Sequence, residues 1–168
     1  MQEKFCIDTS VFITAYQQYY AFDLFPSFWR SLKRWGKQGK WISCAAVFDE
    51  LTNGKSDALS NWAKANATLF LQPGLAVSAK YQEIAELVIK RYEPHHAETF
   101  LASADPWVVA QAAASGQIVV TLEAQRQEYI DPRTERVHGH VKLPNVCRHF
   151  GVKFINTFEM LRRLGFKR

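Results

Sequence analysis

Short apolar runs alternating with stretches of helical spacing constrain this chain most, because such a run cannot stand alone and must pair with its like. Phe5-Cys6-Ile7 is the first, and Ser10 to Tyr20 after it reads as a helix with Ser10 as N-cap. Pro26 suits the first position of a second helix through about Lys37, with Gly36 and Gly39 at its close. Trp41-Ile42-Ser43 feeds a helix from Ala45 to Leu51 that stops near Asn53-Gly54. Asp57 to Ala67 and Val77 to Tyr92 are further helices, the latter with an Ile84, Leu87, Val88 stripe of core spacing. Ser103 or Asp105 caps a helix with Pro106 at its first position and Gly116 at its stop, and Gln117 to Thr121 is β-branched like a buried parallel strand. Leu122 to His140 is polar, holds Pro132 and Gly139, and reads as a loop or mobile flap. Pro144 to Phe150, Val152 to Ile155 and Thr157 to Leu164 close the chain as helix, strand and capped helix. The expected class is α/β, with a parallel sheet covered on both faces.

The 168 residues, 48% of them apolar and 14% aromatic, suffice for one core, so residues 1–168 are read as a single domain. No stretch nears the roughly 20 apolar residues of a membrane span, and no secretory pattern opens the chain, so a cytoplasmic protein with no membrane partner is expected. Cys6, Cys44 and Cys147 form no CxxC pattern and are read as buried, reduced thiols. Lys and Arg number 21 against 16 Asp and Glu, a net charge of +5 that suits contact with polyanions. Arg30, Lys33, Arg34, Lys37 and Lys40 fall in one acid-free stretch, and Arg133 to Arg168 holds nine Lys or Arg. These runs are either solvated faces or phosphate contacts. Trp29, Trp35 and Trp41, interleaved with the first, are either core or base-stacking platforms.

Asp8 ends the first strand, Glu50 lies in the helix after the second, Asp105 opens a helix, and Glu123 follows the strand through Thr121. Right-handed crossovers bring the carboxyl ends of parallel strands to one edge, where these acids can converge. Gathered carboxylates repel unless a cation neutralises them, and without nearby Cys or His the cation is a hard one, Mg²⁺ or Mn²⁺. Each acid also has an ordinary reading: Asp105 as a helix cap, Glu50 or its neighbour Asp49 as a solvent-facing helical acid, Glu123 as a loop residue. His95-His96 and His138-Gly139-His140 pose a zinc site against incidental loop histidines.

Ile7-Asp8-Thr9-Ser10, Glu50 in its helix, Ala104-Asp105 opening a helix, and Val119-Val120-Thr121-Leu122-Glu123 together resemble a PIN domain. More narrowly, Cys6 to Ile13, Ala104-Asp105-Pro106, Pro144-Asn145-Val146-Cys147 and Phe158 to Gly165 are similar to a prokaryotic PIN-like family of the DUF4411 type. The resemblance implies a Rossmann-like three-layer α/β/α sandwich and a metal-dependent endoribonuclease, in many bacteria a VapC-type toxin paired with an antitoxin. It makes Asp8, Glu50 and Asp105 the core acids, Glu123 the fourth and Thr121 the preceding hydroxyl residue. Glu123, a methylene longer than the usual Asp, then binds metal through water or not at all. Thr9 or Ser10 would orient the attacking water or donate to a phosphate, and Arg30, Lys33, Arg34 and Lys37 would bind RNA, tRNA among the candidates. The insert from Gln125 to His140 departs from the family pattern and leaves substrate choice open.

Two other classes compete. A non-catalytic PIN-fold RNA- or protein-binding module would keep the basic surface and tolerate Glu at position 123. A receiver-type phosphoacceptor domain would need paired acids after the first strand and a Lys near the end of the last; Asp8 stands alone, and Lys153 begins its strand. Tyr16, Tyr19, Tyr20, Phe22 and Phe25 offer a homodimer face, an antitoxin groove or ordinary core.

Overall fold

The computed structural model describes residues 2–167; Arg168, the last cation of the basic tail, lies outside them. Strand β1 (Phe5–Ile7) leads to helix α1 (Thr9–Thr14), which continues as a π turn over Ala15–Tyr19, and to α2 (Pro26–Lys37). Next come β2 (Trp41–Cys44), α3 (Ala45–Thr52), α4 (Ala58–Ala65) and a short β3 (Phe70–Leu71). Helices α5 (Leu75–Arg91), α6 (Pro94–Leu101) and α7 (Asp105–Ser115) precede β4 (Ile118–Val120). A hairpin of β5 (Ile130–Asp131) and β6 (Arg136–Val137) is followed by α8 (Leu143–His149), β7 (Phe154–Ile155) and α9 (Thr157–Arg163).

The main sheet is entirely parallel in the order β3-β2-β1-β4-β7. β1, with no polar residue and no exposed one, sits at its centre between Trp41-Ile42 and Ile118-Val119-Val120. From β1 the chain adds strands outward on one side, then crosses back and adds β4 and β7 on the other. Right-handed crossovers therefore lay α1 to α4 on one face and α5 to α8 on the opposite face. This is the Rossmann-like three-layer α/β/α sandwich with a central parallel sheet that the strand-helix alternation requires. Among the described residues no helix is long and apolar enough to cross a membrane.

Helix α2 resolves the interleaved cations and tryptophans by periodicity alone. Phe28, Trp29, Leu32 and Trp35 face the core, while Arg30, Lys33, Arg34 and Lys37 are all exposed. Trp29, Trp35 and Trp41 are at most 3% exposed, so they are core and not stacking platforms. The Trp29 and Trp41 indole N–H groups donate to the Tyr20 and Leu32 carbonyls, which meets the polar need of buried indoles. Tyr16, Tyr20 and Phe22 also pack against the core, whereas Tyr19 and Phe25 remain exposed.

Several local expectations give way to tertiary contacts. Ser10 lies inside α1, whose N-cap residue is Asp8. Asp105 is the first residue of α7 and not its cap; Ala104 holds that position, its N–H bonded to Glu50. Residues 122–140 are no free flap. Ile130 pairs antiparallel with Val137, and Glu128 accepts hydrogen bonds from Arg91 Nε and Nη2 at 3.2 and 2.5 Å and from the Tyr92 hydroxyl. Arg136 Nη1 donates to the Ile89 and Tyr92 carbonyls at 2.6 and 2.7 Å, closing the last turn of α5.

Burial opposes ionisation of Glu128, but the bonds from Tyr92 and Arg91 outweigh it and hold the carboxyl below its ordinary value. A lowered acid stabilises the fold fully above the ordinary glutamate pKa of 4.5 and loses that contribution as pH falls through its folded value. Glu128→Gln should lower the urea midpoint at neutral pH, with the deficit shrinking in acid. A deficit that stays constant into acid would show that the carboxylate's charge does not anchor the hairpin.

Candidate active site

Strand order reverses between β1 and β4, and in an open parallel sheet the crevice beyond the carboxyl ends at such a switch point is where ligands bind. Asp8 leaves β1 at that point and Thr121 leaves β4. The Asp8 N–H donates to the Val120 carbonyl at 2.9 Å, which continues the strand pairing to the sheet's edge. Thr121 Oγ1 and Ser10 Oγ then donate to Asp8 Oδ2 at 2.9 and 2.6 Å. Asp8 is 2% exposed, and although it occupies the N-cap of α1 its carboxylate makes no capping bond. Hydroxyls on two elements hold it instead, and each is tied back: Ser10 Oγ accepts from Leu122 N at 3.3 Å and Thr121 Oγ1 from Glu123 N at 3.1 Å.

The other acids are placed by helix starts. Glu50 Oε1, from α3, accepts the Ala104 N–H at 2.8 Å and so fixes the entry to α7, where Asp105 sits. Glu123 Oε2 accepts the Leu143 N–H at 3.1 Å at the start of α8. Backbone donors at helix starts are unpaired within the helix and suit a carboxylate. The carboxylate of Asp105 accepts no hydrogen bond among the described residues.

Burial pushes the Asp105 carboxyl up to about 8, and the charges of Asp8, Glu123 and Glu50 add to it while Lys142 opposes. Asp8 is raised as well: burial outweighs the bonds from Ser10 and Thr121, and Glu123 adds repulsion. Asp105 is thus the acid on which the other three act. Cys6, Cys44 and Cys147 are buried, their thiols pushed up chiefly by burial, so they offer no thiolate nearby. An all-oxygen donor set with surplus negative charge and an unbonded carboxylate fits a hard divalent cation, Mg²⁺ or Mn²⁺.

Of the two hydroxyl residues after Asp8, Ser10 reaches the acid, whereas the Thr9 hydroxyl is buried without a partner among the described residues. The structure does not bring the α2 cations to the acids as a group. That helix ends by delivering Lys40, whose carbonyl accepts from Phe5 N, so Lys37 falls at the sheet's opposite, amino edge. A cation that acts on Asp105 is Lys142, the N-cap residue of α8 and one of the nine of the basic run from Arg133 to Arg168. Trp107 went unmarked; it stacks on Tyr81 at 4.0 Å and, with Glu50, Asp49 and Ser103, lines a groove of about 360 Å³. A larger cavity of about 610 Å³ opens at the amino edge, far along the strands from the acids, against Lys4, Gly116 and Lys153.

The model of the family described as "Domain of unknown function (DUF4411)" matches residues 5–168. No curated protein sequence matches significantly. Among solved structures, VapBC2 from Rickettsia felis, bound to a DNA fragment from their promoter, is similar at 14% identity and a TM-score of 0.48. The alignment covers 90% of this chain and 97% of that one.

An acid whose pKa is raised on folding destabilises the fold above its ordinary value, because the folded chain keeps a proton that the unfolded chain has released. In metal-free protein, stability should therefore fall as pH rises from 3.8 towards about 8. Asp105→Asn should flatten that slope and raise unfolding free energy at the alkaline end by roughly 2 to 4 kcal/mol, given ~1.4 kcal/mol per pH unit. Excess Mg²⁺ or Mn²⁺ should remove the variant's advantage in urea titrations. Equal stability of parent and variant at every pH would show that Asp105 is not crowded by charge.

Proposed function

We propose, from the premise that the chain belongs to the DUF4411 family, that it is a PIN-type, metal-dependent endoribonuclease and the toxin of a toxin–antitoxin pair. The observation that carries the reading is the placement of Asp8 at the strand-order switch point, held by Ser10 and Thr121, with Glu50 bonded at the entry to the helix that Asp105 opens and Glu123 two residues after Thr121. Asp8, Glu50 and Asp105 would hold Mg²⁺ or Mn²⁺, with Glu123 acting through water because one of its oxygens already serves the Leu143 N–H. When bound, such an ion supplies the positive charge that offsets the phosphodiester and favours ionisation of water.

The chain's own residues supply position. Ser10 and Thr121 fix the orientation of Asp8, and Ala104 N and Leu143 N do the same for Glu50 and Glu123, so each acid keeps its position despite repulsion. Lys142, beside Asp105, is placed to meet a phosphate, and Trp107 offers a half-buried ring beside Glu50 for a base. An unpaired or looped RNA, tRNA loops included, can bring backbone to such a crevice and a base to its groove. The exposed faces of Arg30, Lys33, Arg34 and Lys37 extend the positive field beyond it. Tyr19, Leu24 and Phe25, exposed where the π turn leads into α2, suit an antitoxin segment or a second copy of the chain.

The test is cleavage of total tRNA and structured RNA by the purified chain with Mg²⁺, with Mn²⁺ and with EDTA. Discrete products should need metal, and Asp8→Asn should lower the rate by about 100-fold or more while circular dichroism stays unchanged. Glu123→Gln, which keeps an acceptor for Leu143 N, should cost only about tenfold. Cleavage retained by Asp8→Asn would overturn the assignment, and metal binding without any cleavage would favour a binding module.

A further inference from the structure

Four of the chain's 5 histidines meet at one place, although they come from two segments more than a hairpin apart. Glu93 is the N-cap residue of α6, Pro94 opens the helix, and His95 and His96 occupy its first turn. One ligand atom from each of Glu93, His95 and His96 lies within 4.8 Å of the others. The hairpin adds the rest. Tyr92 bridges to Val137 and Glu93 N donates to the Val137 carbonyl at 3.4 Å, which lays the exit of β6 against the start of α6. There His138 Nδ1 stands 3.2 Å from Glu93 Oε1, and the His140 ring meets that of His96 at 4.7 Å, edge to face.

This exit is built and not incidental. Gly139 takes a φ of +90°, and a Cβ there would lie 2.7 Å from Arg126 Nη2. The same Arg126 group donates to the His138 carbonyl at 3.0 Å, and Arg126's own backbone is clamped on both sides by Asn145. The turn thus sets two imidazoles over the helix start.

We infer that Glu93, His95, His96 and His138, with His140 packed on His96, form a second metal site, for a zinc-class divalent ion, separate from the acid crevice. Ligands about 2.1 Å from a tetrahedral ion lie about 3.4 Å from one another. Glu93 Oε2 is 3.7 Å from His96 Nε2 and Glu93 Oε1 is 3.2 Å from His138 Nδ1, so each carboxylate oxygen has an imidazole nitrogen near that edge length. A nitrogen-rich set with one carboxylate suits Zn²⁺, Co²⁺ or Ni²⁺ and not Mg²⁺, the reverse of the all-oxygen crevice. His138 is 68% exposed on its side chain, so an ion enters directly from solvent. Once bound, it fastens the hairpin to α6, whose far end runs on to Asp105.

Co²⁺ titration of the untagged full chain, followed by visible absorption, tests this. One equivalent should give ligand-field bands that Zn²⁺ abolishes by displacement and millimolar Mg²⁺ leaves alone. The bands should persist in Asp8→Asn, and His96→Gln and His138→Gln should each weaken binding by at least about tenfold. Zn²⁺ should also slow amide hydrogen exchange of residues 130–137 in the parent and not in His138→Gln. No bands at stoichiometric Co²⁺, or bands lost in Asp8→Asn and unmoved in both histidine variants, would overturn the site. Because Asp8→Asn removes the crevice's central acid, failure of the nuclease reading and failure of this site give different results.

Discussion

The parallel pairing of β1 with both β2 and β4 is the constraint on which the rest depends. It buries a strand of three apolar residues on all sides and ends it at the point where the sheet reverses direction. Asp8 is the first residue past that point, and the pairing of Ile7 with Val120 sets Thr121 beside it. An acid placed there loses its water, and burial outweighs the bonds it regains from Ser10, Thr121 and the Thr9 backbone, so its proton is held more tightly than in solution. Glu123, brought to the same edge, raises that cost. The fold therefore carries a built-in electrostatic conflict, a common signature of a site shaped for chemistry more than for stability.

The segment after β4 does more than connect. Glu123 turns back to the start of α8, Arg126 locks onto Asn145, and Glu128 ties the chain to the end of α5. Only then does the hairpin form, with Arg136 closing the last turn of α5 and its exit lying on α6. Helix α6 thus has one end in a histidine cluster and the other leading to Asp105. Two donor sets of opposite character, imidazole-rich and all-carboxylate, share one short stretch of scaffold. What order the hairpin has comes from these anchors, because each of its strands is two residues long and cannot persist alone.

Legibility followed the range of the interactions. The amphipathic pattern of α2, the N1 position of Pro26 and the β-branched run into Thr121 are local signals, and the elements formed where they pointed. β3 offered no pattern, since Phe70-Leu71 is too short to show a period and exists only by pairing with Ser43-Cys44. α6 was hidden by its histidines, which read as loop residues until the helix start is seen to gather them. Of the two caps expected for α7, Asp105 became its first residue while Ser103 Oγ accepts the Asp105 N–H at 3.3 Å, and Glu50, a residue on another helix, takes the N–H of Ala104.

The sequence by itself determined the alternation of strands and helices, the apolar faces, and which side chains are chemically able to bind a hard cation. Those properties reside in side-chain type and in spacings of a few residues. Tertiary structure alone decided which acids share a crevice, that Ser10 and not Thr9 reaches Asp8, that the tryptophans of the basic run are core, and that Lys142 and Trp107 stand at the site. It also decided that four scattered histidines meet. Each of these follows from strand order and helix docking, which join residues as distant as Asp8 and Thr121, 113 positions apart, and no local pattern encodes such a register.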